Sequence, residues 1–157
     1  MTKEKIEQKV NSALDELYSK DSFLFEQGLC ERCINHKLAI HLEKQDIGKG
    51  YFVDCEYNKS HLNGRTDMKR VSNPNGNYID IIVTKRNGDG NDDLVCFETK
   101  RWNNYNGRKK DRKNLQILTG GENSNGVRFG YKFGFYIIFG KTRGNTKIEV
   151  YSGGRKI

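Results

Sequence analysis

At 157 residues the chain is sized for a single domain, 1–157, that buries a core of two or three layers. Lysine and arginine number 28 against 20 aspartates and glutamates, a formal charge of +8. That balance favours a polyanionic partner, nucleic acid before a membrane surface, although a soluble basic protein without such a partner also fits. No stretch approaches the roughly 18 apolar residues of a membrane span, and Met1-Thr2-Lys3-Glu4-Lys5 lacks the apolar segment of a secretory signal. A cytoplasmic protein, with no membrane partner, is expected.

Ile6, Val10, Ala13, Leu14, Leu17 and Tyr18 recur at helical spacing, which predicts an amphipathic helix over 3–18 inside an N-terminal extension, 1–20. Phe23-Leu24-Phe25 reads as a packed connector before Gly28. A second helix is expected from Leu29 to about Lys44, with the stripe Ile34, Leu38 and Leu42. Glu31 lies on that same stripe. A core-facing carboxylate is unfavourable unless it is paired, hydrogen-bonded or metal-bound, whereas a partly solvated first-turn glutamate is favoured by the helix dipole. Both readings of Glu31 stand at this point. Four cysteines follow no zinc-ribbon pattern: Cys30 and Cys33 form one CxxC, while Cys55 and Cys96 stand singly in apolar strands. They read as reduced thiols buried as small apolar residues.

Tyr51 to Tyr57 is rich in β-favouring residues and reads as a first strand. Residues 58–77, polar and holding the only proline, Pro74, read as a long connection. Tyr78 to Thr84 is a second strand with Asp80 in its middle. Leu94-Val95-Cys96-Phe97 leads into Glu98-Thr99-Lys100 as a third. Between these two strands, Asn87-Gly88-Asp89-Gly90-Asn91-Asp92 is a run of turn-formers. A hairpin folded about Asp89 sets Asp80 opposite Glu98, where Cβ atoms lie roughly 4.5–5.5 Å apart and like charges repel. Such a pair persists most easily with a cation between its members. Lys100 shares a face with Glu98, because strand side chains alternate; a surface ion-pair cluster is the plainer alternative. Ile81, Val83, Val95 and Phe97 occupy the other face.

Beyond this hairpin, Arg108-Lys109-Lys110-Asp111-Arg112-Lys113 opens a third helix that ends in Leu115, Ile117 and Leu118. Lys109, Lys110, Arg112 and Lys113 are candidates for phosphate contact, or else form an exposed charged face. Trp102 and Tyr105 beside them are suited to stack on bases or ribose, or else to pack locally. A glycine- and asparagine-rich loop, 119–130, precedes a continuous apolar strand, Phe133 to Phe139, of the kind covered on both faces. Lys147 to Tyr151 alternates like a half-exposed edge strand. His36, His41 and His61 are not at ligand spacing and read as solvated or locally bonded.

The order helix with Glu31, strand, strand with Asp80, strand with Glu98-Thr99-Lys100, helix, strand resembles the PD-(D/E)xK nuclease superfamily. The likeness extends toward small members of it through Cys30 to Ala39, Val53 to Asn58 and Asp111 to Thr119, and spans roughly residues 29–151. One difference is that Ile79, rather than a proline, precedes Asp80; this touches the backbone and not the chemistry. The resemblance implies an α/β, restriction-endonuclease-like fold: a central mixed β-sheet flanked by helices, an αβββαβ core with an extra N-terminal helix and a C-terminal edge strand. It also implies a nuclease that hydrolyses phosphodiester bonds with Mg²⁺ or Mn²⁺, DNA ahead of RNA, and it admits a homodimer.

Carried over residue by residue, the implied catalytic set is Glu31, Asp80, Glu98 and Lys100. Asp80, Glu98 and the Thr99 backbone carbonyl would hold the metal. Glu31 would serve a second ion or a metal-bound water, and Lys100 would orient the attacking water. Asp111 and Gln116 match a secondary element of the family's following helix, without an assigned role. The competing reading is a non-catalytic nucleic-acid-binding or assembly module on the same fold. Such a module has no reason to keep an opposed acid pair.

Overall fold

The computed structural model describes the chain except residues 63–64, 69–70, 73–77, 87–92, 124 and 127–128, with the backbone alone described at 59–62 and 65–68. The predicted first helix runs from Lys3 to Lys20 (α1), and the Thr2 side chain at its N-cap accepts from the Lys5 N–H. Its stripe Ile6, Val10, Ala13, Leu14 and Leu17 is fully buried. A short helix, Phe23–Glu26 (α2), turns the chain; its Phe25 stacks on Tyr18 with ring centroids 4.1 Å apart. The second long helix, Glu31–Glu43 (α3), buries Ile34, Leu38 and Leu42 as the spacing demands.

The strands are Phe52–Tyr57 (β1), Lys59–Leu62 (β2), Arg65–Met68 (β3), Ile79–Thr84 (β4) and Val95–Arg101 (β5). After helix Arg108–Leu118 (α4) come Phe133–Phe139 (β6), Lys147–Ser152 (β7) and Arg155–Lys156 (β8). One mixed sheet of six strands has the order β1-β4-β5-β6-β7-β8. Among the described residues of this sheet only the β5–β6 pair is parallel, and α4 supplies the crossover such a pair needs; the other pairs are antiparallel. The order helix, three strands, helix, strand is carried by α3, β1, β4, β5, α4 and β6. The fold is therefore α/β, with a mixed sheet between helices.

Two expectations need correction. The connection 58–77 holds a separate antiparallel hairpin, β2–β3, where no strand was expected. Its polar sequence carries no apolar alternation, so neither strand announced itself. The last predicted strand is also not the sheet edge, because β8 pairs beyond β7 through Tyr151 and Lys156. Two residues are too few to leave a periodic signal.

The sheet separates two apolar layers. On one face Ile81, Val83, Val95, Phe97, Phe135 and Ile137 meet α1 and α3. On the other, Ile82, Cys96, Tyr136 and Ile138 meet Leu115 and Leu118 of α4. Gly134 lets α4 lie close to β6: a Cβ there would stand 2.9 Å from Thr119 Cγ2 and 3.1 Å from Leu115 Cδ2. The cysteines differ from expectation. Cys96 is buried, but Cys30, Cys33 and Cys55 are exposed residues. Being small and apolar permits burial without enforcing it, and a helix N-terminus and an edge strand lie at the rim of the core. His41 is locally bonded as expected, with Nε2 2.7 Å from Asp21 Oδ2 and Nδ1 3.3 Å from Glu16 Oε2. No helix among the described residues is long and apolar enough to cross a membrane.

Candidate active site

The β4–β5 ladder pairs Ile81 with Phe97 and Ile82 with Cys96. One step further along that antiparallel register, Asp80 stands opposite Glu98. Asp89, the expected turn centre, lies outside the described residues. Glu98 is 5% exposed, so this is no surface cluster.

Each acid is held by a specific partner. Asp80 Oδ2 accepts from the Thr99 backbone N–H at 2.7 Å. The Thr99 hydroxyl lies 3.0 Å from that same oxygen and 2.8 Å from Asn35 Oδ1, and can donate its one proton to either. Asn35 sits one turn beyond Glu31 on α3 and is buried, so it links that helix to the acid pair. Glu98 Oε1 accepts from Asn114 Nδ2 at 3.3 Å. The Asn114 amide is oriented in turn by the Ser72 hydroxyl, which donates to Asn114 Oδ1 at 2.7 Å.

Ionisation of the pair is suppressed. Burial pushes the Asp80 carboxyl up to about 6 against the hydrogen bonds from Thr99 and the charge of Lys100. Glu98 is pushed well above the ordinary range, by burial first and then by the charges of Asp80 and Asp111. Lys100 projects to the same side, with Nζ 3.2 Å from Asp111 Oδ2 and 3.9 Å from Glu31 Oε2. Burial disfavours its charged form, but Asp111 and Glu31 outweigh that and raise its pKa. Asp111 is itself shifted upward by burial despite the ammonium beside it.

The acid that joins Asp80, Glu98 and Lys100 from the following helix is thus Asp111. Its helical neighbour at the site is Asn114, while Gln116 points away and is exposed. The available signal was two polar residues, Asp111 and Asn114, on the same helical stripe as Leu115 and Leu118, and both are buried. Asn35 gave the same kind of signal on α3. Glu31 is placed on the outer side of Lys100, where its Oε1 accepts from Asn104 Nδ2 at 2.5 Å. It shares a lysine with Asp111 and approaches the acid pair through that lysine.

Among the described residues, no group of three or more His, Cys, Asp or Glu side chains forms a metal cage. Mg²⁺ does not require one, because it takes one or two protein carboxylates and completes its octahedron with waters and phosphate oxygens. Two opposed carboxylates, both held back from ionising by burial and Glu98 further by the charge of Asp80, are a donor set that fits such a hard cation.

The basic run divides in two. Lys109, Lys110 and Lys113 are exposed. Arg112 is instead engaged in a forked pair with Glu149, through Nε and Nη2, both at 2.9 Å. That pairing holds the Glu149 carboxyl down at about 2. Arg108 braces the turn before α4, donating to the carbonyls of Arg101, Trp102 and Asn104. Trp102 packs against the core with Arg101 over its ring, whereas Tyr105 is 73% exposed with Arg108 over its ring. Of the two aromatics, Tyr105 alone presents a largely open ring.

Charge reversal at Lys109, Lys110 and Lys113 is expected to weaken nucleic-acid binding and flatten its salt dependence. For every phosphate that a lysine no longer neutralises, the slope of log K against log salt falls by about 0.9 on duplex DNA. Binding isotherms across a salt series read this directly, and an unchanged slope would mark the three lysines as a solvated face.

Comparison with protein-family models, curated proteins and solved structures finds no match to this chain.

Proposed function

We propose that the chain is a metal-dependent phosphodiesterase acting on nucleic acid, with a restriction-endonuclease-like arrangement of α3, β1, β4, β5, α4 and β6. The observation that carries this reading is the opposed pair of half-buried Asp80 and buried Glu98 beside Lys100, with ionisation suppressed on both acids. A surface ion-pair cluster has no need of such burial. Asp80 and Glu98 would hold Mg²⁺ or Mn²⁺, and the bound ion supplies an acidified water and a polarised phosphate. Thr99 and Asn114 keep the two carboxylates in place. Lys100, tethered between Asp111 and Glu31, sets a fixed positive charge where the scissile phosphate and its attacking water come together. Lys109, Lys110 and Lys113 add contacts to the phosphate backbone that carry no sequence information.

The test is incubation of the purified chain with single-stranded, duplex and branched DNA and with RNA, in Mg²⁺, in Mn²⁺ and in chelator. Metal-dependent cleavage of at least one substrate is expected. Binding without metal-dependent cleavage on every substrate would instead establish the non-catalytic module.

A further inference from the structure

Cys30 and Cys33 remain unused by the phosphodiesterase chemistry, and they are the two thiols in mutual contact. Their Sγ atoms lie 3.1 Å apart, and both residues are exposed. A disulfide bond is about 2.05 Å long, so closure needs a sulfur displacement of about 1 Å. Cys30 is the N-cap of α3, without a side-chain capping hydrogen bond, and Cys33 lies in the first turn, where its N–H reaches the Cys30 carbonyl at 3.1 Å. The first-turn N–H groups of a helix and its dipole favour a thiolate at the cap position. Among the described residues no group of three or more His, Cys, Asp or Glu forms a metal site, so the pair lacks the donors of a zinc tetrahedron.

We propose that Cys30 and Cys33 form a redox-active dithiol that closes reversibly to a disulfide by exchange with a low-molecular-weight or protein disulfide. The Cys30 thiolate attacks one sulfur of the incoming RS–SR. That bond breaks, the first RS⁻ leaves and takes a proton from water, and Cys30 carries a mixed disulfide. Cys33 then loses its proton to water and attacks Cys30 Sγ, releasing the second RS⁻. Two cysteine thiols are oxidised, one external disulfide is reduced to two thiols, and two electrons pass between them. The inference stands on the thiol geometry and does not depend on the phosphodiesterase reading.

The test equilibrates the full chain in a series of reduced and oxidised glutathione ratios, quenches with acid and an alkylating agent, and maps peptides by mass spectrometry. Trypsin cuts after Arg32, between the two cysteines, so the oxidised form yields two peptides joined by one disulfide. Expected is a reversible transition to that linked pair, undone by dithiothreitol, with Cys96 alkylated only after unfolding. Cys33→Ser is expected to accumulate glutathione on residue 30, and Cys30→Ser to abolish the linked pair. The proposal is overturned if both thiols stay reduced across the series. It is overturned equally if Cys30 pairs with Cys55 or with a second chain, or if the wild-type chain stops at the mixed disulfide.

Discussion

Asp80→Asn and Glu98→Gln are each expected to abolish metal-dependent cleavage and yet to raise the melting temperature of the metal-free protein at pH 8. The sign follows from proton binding. The Asp80 carboxyl ordinarily titrates at 3.8, and in the fold it is pushed up to about 6. Between those two values the folded state holds a proton that the unfolded chain has released, so the metal-free protein loses stability as pH rises through that window. Glu98, shifted upward in the same direction, extends the loss to higher pH. Two pKa units at about 1.4 kcal/mol each set an upper bound of ~3 kcal/mol; solvent screening of a partly exposed group reduces this to about 1–2 kcal/mol.

An amide at either position removes that penalty and still accepts the hydrogen bond from Thr99 or Asn114. For a chain of this size about 1–2 kcal/mol corresponds to a rise of roughly 3–6 °C. Melts at pH 4.5 and pH 8 read it: the variants should gain at pH 8 and show little change at pH 4.5. Mg²⁺ should raise the wild-type melting temperature with proton release, and should do so far less in either variant. A variant that melts below wild type at pH 8, or cleaves as wild type does, would remove the acid pair from the mechanism.

The second large effect concerns Lys100. Its ammonium pairs with both Asp111 and Glu31, and the side chains of Lys100, Asp111 and Glu31 are only 18%, 11% and 25% exposed. Lys100→Met keeps the aliphatic stem and removes the charge, leaving Asp111 without its ion-pair partner near other acids. Breaking a fully buried pair costs about 3–5 kcal/mol, and partial exposure brings the expected loss to about 2 kcal/mol at pH 7. At pH 5 the loss should shrink, because an Asp111 without its cation titrates higher and takes up a proton instead. Adding Asp111→Asn should restore most of the stability while leaving turnover abolished. Urea unfolding of the two single variants and the double variant closes the cycle. Metal affinity, read by calorimetry, should fall less than turnover, since a cation is no ligand for Mg²⁺. If Lys100→Met unfolds at the wild-type urea concentration, the lysine is solvated rather than structural. If metal affinity falls as far as turnover, its role is to shape the acid pair rather than to act on the phosphate.

Much of this site is legible in the chain because strands alternate. Once 78–84 and 94–100 are paired about a central turn, Asp80 opposite Glu98 and Lys100 on the Glu98 face follow from the register alone. What the register cannot supply is the helix side of the pocket. Asp111 and Asn114 reach the acids only because α4 packs across β5 and β6, brought close by Gly134. Their presence on an apolar stripe hints at burial without naming a partner. On α3 the signal was Glu31, and the residue in direct contact with Thr99 is Asn35, one turn further on. Both lie on the inward side of the helix, and the crossing of α3 over the sheet decides which of them arrives. Arg112 is a similar case: in the sequence it is one cation of a basic run, and in the fold Glu149 on β7 claims it.

By itself the sequence determined the periodic elements and their order: helices α1, α3 and α4, the principal strands, and the buried stripes that glue them. These depend on spacings of two and of three to four residues, which any short window contains. It also determined that an acid pair would meet across β4 and β5, because an antiparallel register is arithmetic on residue numbers. Only the tertiary structure decided which polar residues complete that pair, which cations remain open to a polyanion, and that Cys30 and Cys33 meet in the open rather than in the core. Those outcomes depend on where separate elements cross and on which side chain first finds an opposite charge. Neither quantity is written in any local stretch of the chain.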